Sequence, residues 1–284
     1  MQPLSFSDLH NKVCAITGGA GIIGSSLVEA LSSAGVKVAV VDRDGDKARG
    51  LAQRMQRETA TPSFGVVADV LDKPSLERAR EEITNSLGPI DLLINCAGGN
   101  HPSATTGVEF ITSEPPDNLG KTFFGLDIAG FSKVFDLNFA GTVLPTMVFA
   151  RDMTQRKSGA VLNISSMNSY RPLTRIPAYS AAKAAINNFT QWLAVHFAKV
   201  NVRVNAIAPG FFCTDQNRFL LADEKNGELT PRGKKIITNT PMGEFGTPAD
   251  LQGAALFLLS SATARFITGV VLAVDGGFSA YSGV

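Results

Sequence analysis

Seven short apolar runs punctuate the 284 residues: Val13 to Ile16, Val36 to Val41, Ser63 to Val67, Leu92 to Asn95, Ala160 to Ile164, Val202 to Ala208 and Val270 to Val274. They are rich in Val and Ile and carry apolar residues on both faces, so each must be covered from both sides, the pattern of strands in a parallel sheet. Between them, Ile23 to Ser33, Asp46 to Gln56, Ser75 to Leu87, Ser132 to Arg156, Tyr179 to Lys199 and Ala249 to Ser260 repeat apolar residues every three to four positions, which predicts helices. Strand and helix alternating to the end predict right-handed crossovers. The expectation is a three-layer α/β fold, a doubly wound parallel sheet, as a single domain over residues 1–284.

Two segments interrupt this rhythm, each after an expected strand. Residues 98–130 hold Pro102, Pro115 and Pro116, and residues 211–241 hold Pro231 among charged residues. Loops of this length in a compact domain usually bind or cover something, and in open α/β sheets ligands sit beyond the carboxyl ends of the strands. The substrate is expected between them.

The formal net charge is +1, with both signs scattered, so no surface is built for nucleic acid or an anionic membrane. Cys14, Cys96 and Cys213 stand far apart without a CxxC pair, and His10, His101 and His196 form no HExxH cluster, so neither a disulfide framework nor a metal centre is expected. The first twelve residues lack a basic start followed by an apolar run, and no apolar stretch approaches the roughly 18 to 20 residues of a membrane span. A cytoplasmic protein acting on a small molecule is expected.

The first strand runs into Thr17-Gly18-Gly19-Ala20-Gly21-Ile22-Ile23-Gly24 and then a helix. Glycines let backbone approach a pyrophosphate closely, and the following helix N-terminus favours the anion. The second strand ends at Asp42, whose carboxylate can accept hydrogen bonds from the adenosine ribose and repel the extra phosphate of NADP. Arg43 beside it offsets part of that repulsion, so NAD is expected ahead of NADP.

Tyr179 and Lys183 stand four apart at the start of a helix and so share a face. A free phenol titrates near pH 10, and bringing it toward neutrality needs about 3 to 4 kcal/mol of differential stabilisation, which a neighbouring ammonium and an oxidised nicotinamide ring could supply. Thirteen residues earlier, Asn163-Ile164-Ser165-Ser166 closes a strand. Ser166 could orient a substrate oxygen; Ser165 is the adjacent competitor, and either could cap a turn.

From Lys12 onward this set resembles the short-chain dehydrogenase/reductase family. The landmarks fall in order: the TGxxxxxG turn, Asp69-Val70, Asn95-Cys96-Ala97-Gly98, Asn138, Ser166, Tyr179-x-x-x-Lys183, and Pro209-Gly210 with Thr214. The resemblance implies a Rossmann fold and hydride transfer with Asn138, Ser166, Tyr179 and Lys183 as the catalytic set. It implies that Thr17, Gly18, Gly21, Ile23, Gly24, Asp42 and Arg43 hold one end of the dinucleotide and that Asp69 and Val70 flank its adenine. Asn95, Ala97 and Gly98 would line its path, Lys183 would hold the nicotinamide ribose, and Pro209, Gly210, Phe212 and Thr214 would hold the carboxamide. Asn138 would anchor a water leading protons to Lys183, and the long helices near Phe189, Trp192, Leu193 and Phe197 would meet in a homotetramer, unless those side chains serve the monomer core.

One position departs from the family. Its turn has glycine in sixth place, where this chain has Ile22 after Gly21, so either Gly21 takes the unusual backbone conformation or the loop follows another path. With Gly98-Gly99-Asn100-His101-Pro102, Ser166-Met167-Asn168 and the tail from Val274 to Val284, this looks like the D-mannonate oxidoreductases, or fructuronate reductases, of the family. A sugar acid needs hydrogen-bond partners and a cation, for which Asn100, His101, Asn168, Arg171, Arg175, Gln216, Asn217 and Arg218 are the candidates. Another polyol, a hydroxysteroid or an acyl-thioester ketone are rival substrates, and a nucleotide-binding regulatory protein is the rival of another class.

Overall fold

The computed structural model describes residues 5–112, 119–213, 221, 223 and 227–283. All seven expected strands form: β1 (Val13–Thr17), β2 (Lys37–Asp42), β3 (Ser63–Val67), β4 (Leu92–Asn95), β5 (Gly159–Ile164), β6 (Val202–Pro209) and β7 (Val271–Val274). Among the described residues they make one sheet in the order β3-β2-β1-β4-β5-β6-β7, every neighbour parallel. The chain builds outward from β1 to β3, then returns to β4 and builds the other way. That reversal opens a crevice beyond the carboxyl ends of β1 and β4.

Covering helices are α1 (Ile22–Ser33), α2 (Gly45–Thr59), α3 (Lys73–Leu87), α4 (Ile128–Phe135), α5 (Gly141–Phe149), α6 (Arg151–Arg156), α7 (Pro177–Phe197), α8 (Pro231–Thr238), α9 (Gln252–Leu259) and α10 (Ser261–Ala264). Successive residues of the central strands feed opposite cores. Cys14, Ile16, Val38 and Val40 pack with Leu27, Leu31 and Leu258, whereas Val13, Ala15, Ala39 and Val41 pack with Leu76, Ile83, Phe149 and Met153. This two-sided burial is why the strands read as continuous apolar runs. Asp44 caps α2 by accepting from Lys47 N, and Asp127 caps α4 by accepting from the amides of Ala129 and Gly130.

The single helix expected over Ser132 to Arg156 is corrected. It starts at Ile128 under the Asp127 cap, widens into a π turn over Asp136–Ala140, resumes as α5 and stops at Ala150 before α6. Pro145 cannot donate to its helix, and a π turn inserts a residue that apolar spacing does not register. The last predicted helix also differs, since Pro248–Leu251 is a 3-10 turn and α9 begins at Gln252.

The candidate interface residues divide. Leu193 is buried in the core and Phe189 and Phe197 pack against it, whereas Trp192 is 58% exposed, stacked on His196. In the tail, Phe278 packs edge-on against Phe211 of its own chain, ring centroids 5.2 Å apart.

Candidate active site

A cleft of about 850 Å³ lies along the carboxyl ends of the strands, from Asp42 and Arg43 at one end to Ser166, Tyr179 and Lys183 at the other. At its nucleotide end the turn works through backbone. Gly18 has φ +61°, and a Cβ there would come within 2.8 Å of Ala97 Cα. A Cβ on Gly24 would collide with the Gly18 carbonyl, so helix and loop pack closer than any side chain allows. Gly21 is extended, φ −73° and ψ 173°, and serves as the N-cap of α1, while Ile22 is its first helical residue. The departure from the family turn is thereby settled: the positive φ belongs to Gly18, and Ile22 stays in a conformation open to a β-branched residue. No side chain caps α1, so its first amides face the cleft beside Ile23 and Gly24, the arrangement that binds phosphate oxygens.

Asp42 lines the cleft, its oxygens accepting from Ala20 N and Asp44 N at 3.1 Å each. A carboxylate has about four acceptor sites, which leaves capacity for ribose hydroxyls. Asp69, Val70, Ala97, Gly98, Pro209, Gly210 and Phe212 also line it. At Gly98 a Cβ would meet Asn138 Oδ1 at 2.7 Å and Lys183 Nζ at 3.3 Å, so this glycine keeps open the passage past the buried lysine. The uncapped helix, the open glycines and the terminal carboxylate together fit a dinucleotide.

Thr17 and Asn95 are placed otherwise than expected. Thr17 is fully buried, its Oγ1 accepting from the amides of Cys96 and Ala97, so it braces β1 to β4 instead of lining the cleft. Asn95 is buried beneath the cleft, its Nδ2 donating to Thr146 Oγ1 and Asn163 Oδ1 at 2.8 Å each. Both are polar groups at strand ends whose partners come from distant segments.

At the other end, β5 delivers Ser166 and the first turn of α7 delivers Tyr179 and Lys183. Ser166 Oγ accepts from Asn168 N at 3.2 Å and lies beside Tyr179 in the cleft lining, where it favours the phenolate. Ser165 turns away, donating to Asn187 Oδ1, so of the two serines Ser166 faces the phenol. Lys183 is buried; its Nζ donates to the Ile164 carbonyl at 2.8 Å and lies 5.6 Å from the centre of the Tyr179 ring. Burial pulls this ammonium down to about 8, with Cys96 opposing.

The expected lowering of the phenol is corrected for the chain's own residues. Burial pushes Tyr179 up to about 12, the Ser166 hydrogen bond pulling it down and Cys96 adding to the rise. One of the three N–H donors of Lys183 bonds Ile164, its Nζ stands 5.6 Å from the ring centre, and the burial of the phenol outweighs the Ser166 contribution, so desolvation wins. The phenol therefore holds its proton at neutral pH, ready to donate it. Asn138 is fully buried in the π turn: Nδ2 donates to Gly99 O at 2.7 Å and to Val134 O at 2.8 Å, and Oδ1 accepts from Gly99 N. It pins the loop at Gly99 beside Lys183.

The expected substrate residues are largely engaged elsewhere. His101 caps a short turn by accepting from Ser103 N, Asn100 donates to Thr105 Oγ1, Arg175 Nε donates to Thr106 O, and Arg171 Nε donates to Ser279 O. Asn168 is buried beside Ser166. Thr214, Gln216, Asn217 and Arg218 lie outside the described residues. Sequence reasoning gave Cys96 and Gly99 no role and missed Leu71, Lys133, Asp136 and Leu137, all of which line the cleft. Leu137 could have been found from its place before Asn138; Lys133 carries no local signal, because only the course of α4 brings it there.

Among the described residues no helix is long and apolar enough to cross a membrane, and no three His, Cys, Asp or Glu side chains are grouped to hold a metal. Comparison with known proteins agrees with the geometry. The family model for enoyl-(acyl carrier protein) reductase matches residues 18–279. An uncharacterized oxidoreductase, UxuB, of Bacillus subtilis is 48% identical over 284 residues, covering 100% of both chains. A Haemophilus influenzae protein, named provisionally as a D-mannonate oxidoreductase and solved with NAD bound, superposes with TM-score 0.91 at 47% identity, covering 98% of each chain. A gluconate 5-dehydrogenase from Burkholderia cenocepacia, solved with NADP and tartrate, gives TM-score 0.83 at 27% identity over 97% of this chain and 99% of its own. With the serine, tyrosine and lysine at one end of a dinucleotide-shaped cleft and these likenesses along its whole length, the chain belongs to the short-chain dehydrogenase/reductase family and is an oxidoreductase.

Proposed function

We propose that this protein interconverts the ketone of a sugar acid and the corresponding secondary alcohol, D-fructuronate and D-mannonate, with NAD(H) as its dinucleotide. The observation that carries the reading is that Ser166, Tyr179 and Lys183 line one end of a cleft whose other end is lined by Asp42. The dinucleotide supplies or accepts the hydride; the protein's share is position and a proton. In reduction, Tyr179 donates its phenolic proton to the carbonyl oxygen as negative charge develops there. Ser166 holds that oxygen, and Lys183 reprotonates the phenol from beneath. In oxidation the same groups run in reverse.

Asp42 supports NAD over NADP, as does the NAD found in the Haemophilus relative, and the sugar-acid substrate draws support from that relative and from the gluconate 5-dehydrogenase. The described parts of segments 98–130 and 211–241 form the walls of the substrate site, with Glu109 on one joined to Lys235 on the other by an ion pair of 2.5 Å. The exposed Trp192 face of α7 forms the contact of a homotetramer, and three free thiols suit a reducing cytoplasm. The test is nicotinamide absorbance with NADH or NADPH against D-fructuronate and other keto-sugar acids. NADH-linked loss with D-fructuronate is expected; inertness toward every keto-sugar acid would sink the reading.

A further inference from the structure

The turn after β5 is a hydrogen-bonded circuit with one side chain left out. Ser165 Oγ donates to Asn187 Oδ1 at 2.5 Å, Asn187 Nδ2 donates to Ser169 Oγ at 2.8 Å, and Ser169 Oγ donates to the Ser166 carbonyl at 2.6 Å. Asn168 lies in the chain between Ser166 and Ser169 and is only 5% exposed. Its backbone amide donates to Ser166 Oγ at 3.2 Å, which ties this residue to the serine that lines the cleft with Tyr179. Its carboxamide oxygen has no partner among the described residues. Buried amide oxygens are nearly always bonded, because desolvating one without a partner is costly, so an orphan on the residue whose amide bonds Ser166 calls for a ligand. Of the four buried side-chain atoms in this condition among the described residues, it is the one whose residue bonds Ser166.

We propose that Asn168 is a specificity-determining residue whose carboxamide is reserved for a substrate hydroxyl on the carbon next to the one reduced. A carboxamide both donates and accepts, so it can meet a hydroxyl in either sense. A ketone lacking that hydroxyl leaves the amide buried and unpaired, and sites built to bond a hydroxyl reject the analogue without it by large factors. The inference rests on the carbonyl chemistry proposed above, not on which sugar acid is used.

The test pairs D-fructuronate and 5-keto-D-gluconate each with its analogue deoxygenated at the carbon beside the carbonyl. Wild type, Asn168→Leu and Asn168→Ser are compared by kcat/KM with NADH, by NADH affinity from fluorescence, and by melting temperature. Wild type is expected to prefer the hydroxylated member by about a hundredfold or more. In Asn168→Leu that preference falls to within about threefold, through loss on the hydroxylated member alone, with NADH affinity unchanged. Asn168→Ser, small and polar, gives the same reading should the leucine variant melt early. A preference that survives in both variants, or an equal loss on both members of a pair, overturns the proposal. A wild type that reduces 5-keto-D-gluconate but ignores D-fructuronate drops the mannonate reading while the deoxy ratio still decides on Asn168. A wild type that reduces neither hydroxylated ketone removes both.

Discussion

The glycine turn between β1 and α1 and the described part of the segment from Gly98 to Gly130 both leave carboxyl ends of neighbouring strands, yet they are shaped by different means. The turn acts through backbone: Gly18 and Gly24 approach other main chain where no Cβ fits, and α1 presents uncapped amides. In the second segment Asn100, His101 and Thr106 bond their neighbours or Arg175 and hold the loop's own shape. A phosphate site can thus be read from where side chains are missing, whereas a substrate site depends on which polar side chains remain free once the loop has satisfied itself.

Tyr179→Phe separates the two ends most sharply. Turnover is expected to fall about a thousandfold while NADH affinity, measured by fluorescence, stays within about twofold; near-wild-type turnover would remove the phenol from the chemistry. At the nucleotide end, Gly24→Ala forces a Cβ against the Gly18 carbonyl. Overpacking of this kind costs about 1–3 kcal/mol, expected as weaker NADH binding and a lower melting temperature together.

The pH profile probes the buried lysine. Below about 8 Lys183 is an ammonium and Tyr179 a phenol, so reduction runs fully; above it Lys183 loses its proton while Tyr179, near 12, keeps its own. Thus kcat/KM for reduction is expected to fall by about tenfold per pH unit on the alkaline side, and Lys183→Arg, whose charge persists, should flatten that limb. Asp42→Ala is expected to cut the preference for NADH over NADPH by about tenfold, a loss of roughly 1.4 kcal/mol of discrimination, read from paired kcat/KM values. The smallest effect belongs to the mouth: Glu109→Gln breaks a solvent-screened pair, and kcat/KM should change by less than about twofold. A larger change would mean that the two walls move as one.

Much of the site was legible because its signals are local. Tyr179 and Lys183 share a helix face through a spacing of four, and Asp42 closes a strand that apolar residues mark out. Thr17 and Asn95 carried equally clear family landmarks, yet both are braces, since Thr17 bonds Cys96 and Ala97 and Asn95 bonds Thr146 and Asn163. A polar residue at a strand end looks alike from the sequence whether it faces a ligand or a distant amide.

By itself the sequence determined the seven strands, their parallel character and the glycine turn, because periodicity and conformational freedom are properties of a few adjacent residues. Only the tertiary structure decided that Ser166 and not Ser165 meets the phenol, that Asn138 sits in a π turn, and that burial pushes Tyr179 upward while pulling Lys183 down. It also left the Asn168 carboxamide buried without a partner. The physical reason is common to all of these: desolvation and hydrogen-bond completion depend on what the fold brings alongside, and those neighbours arrive from tens of residues away in the chain.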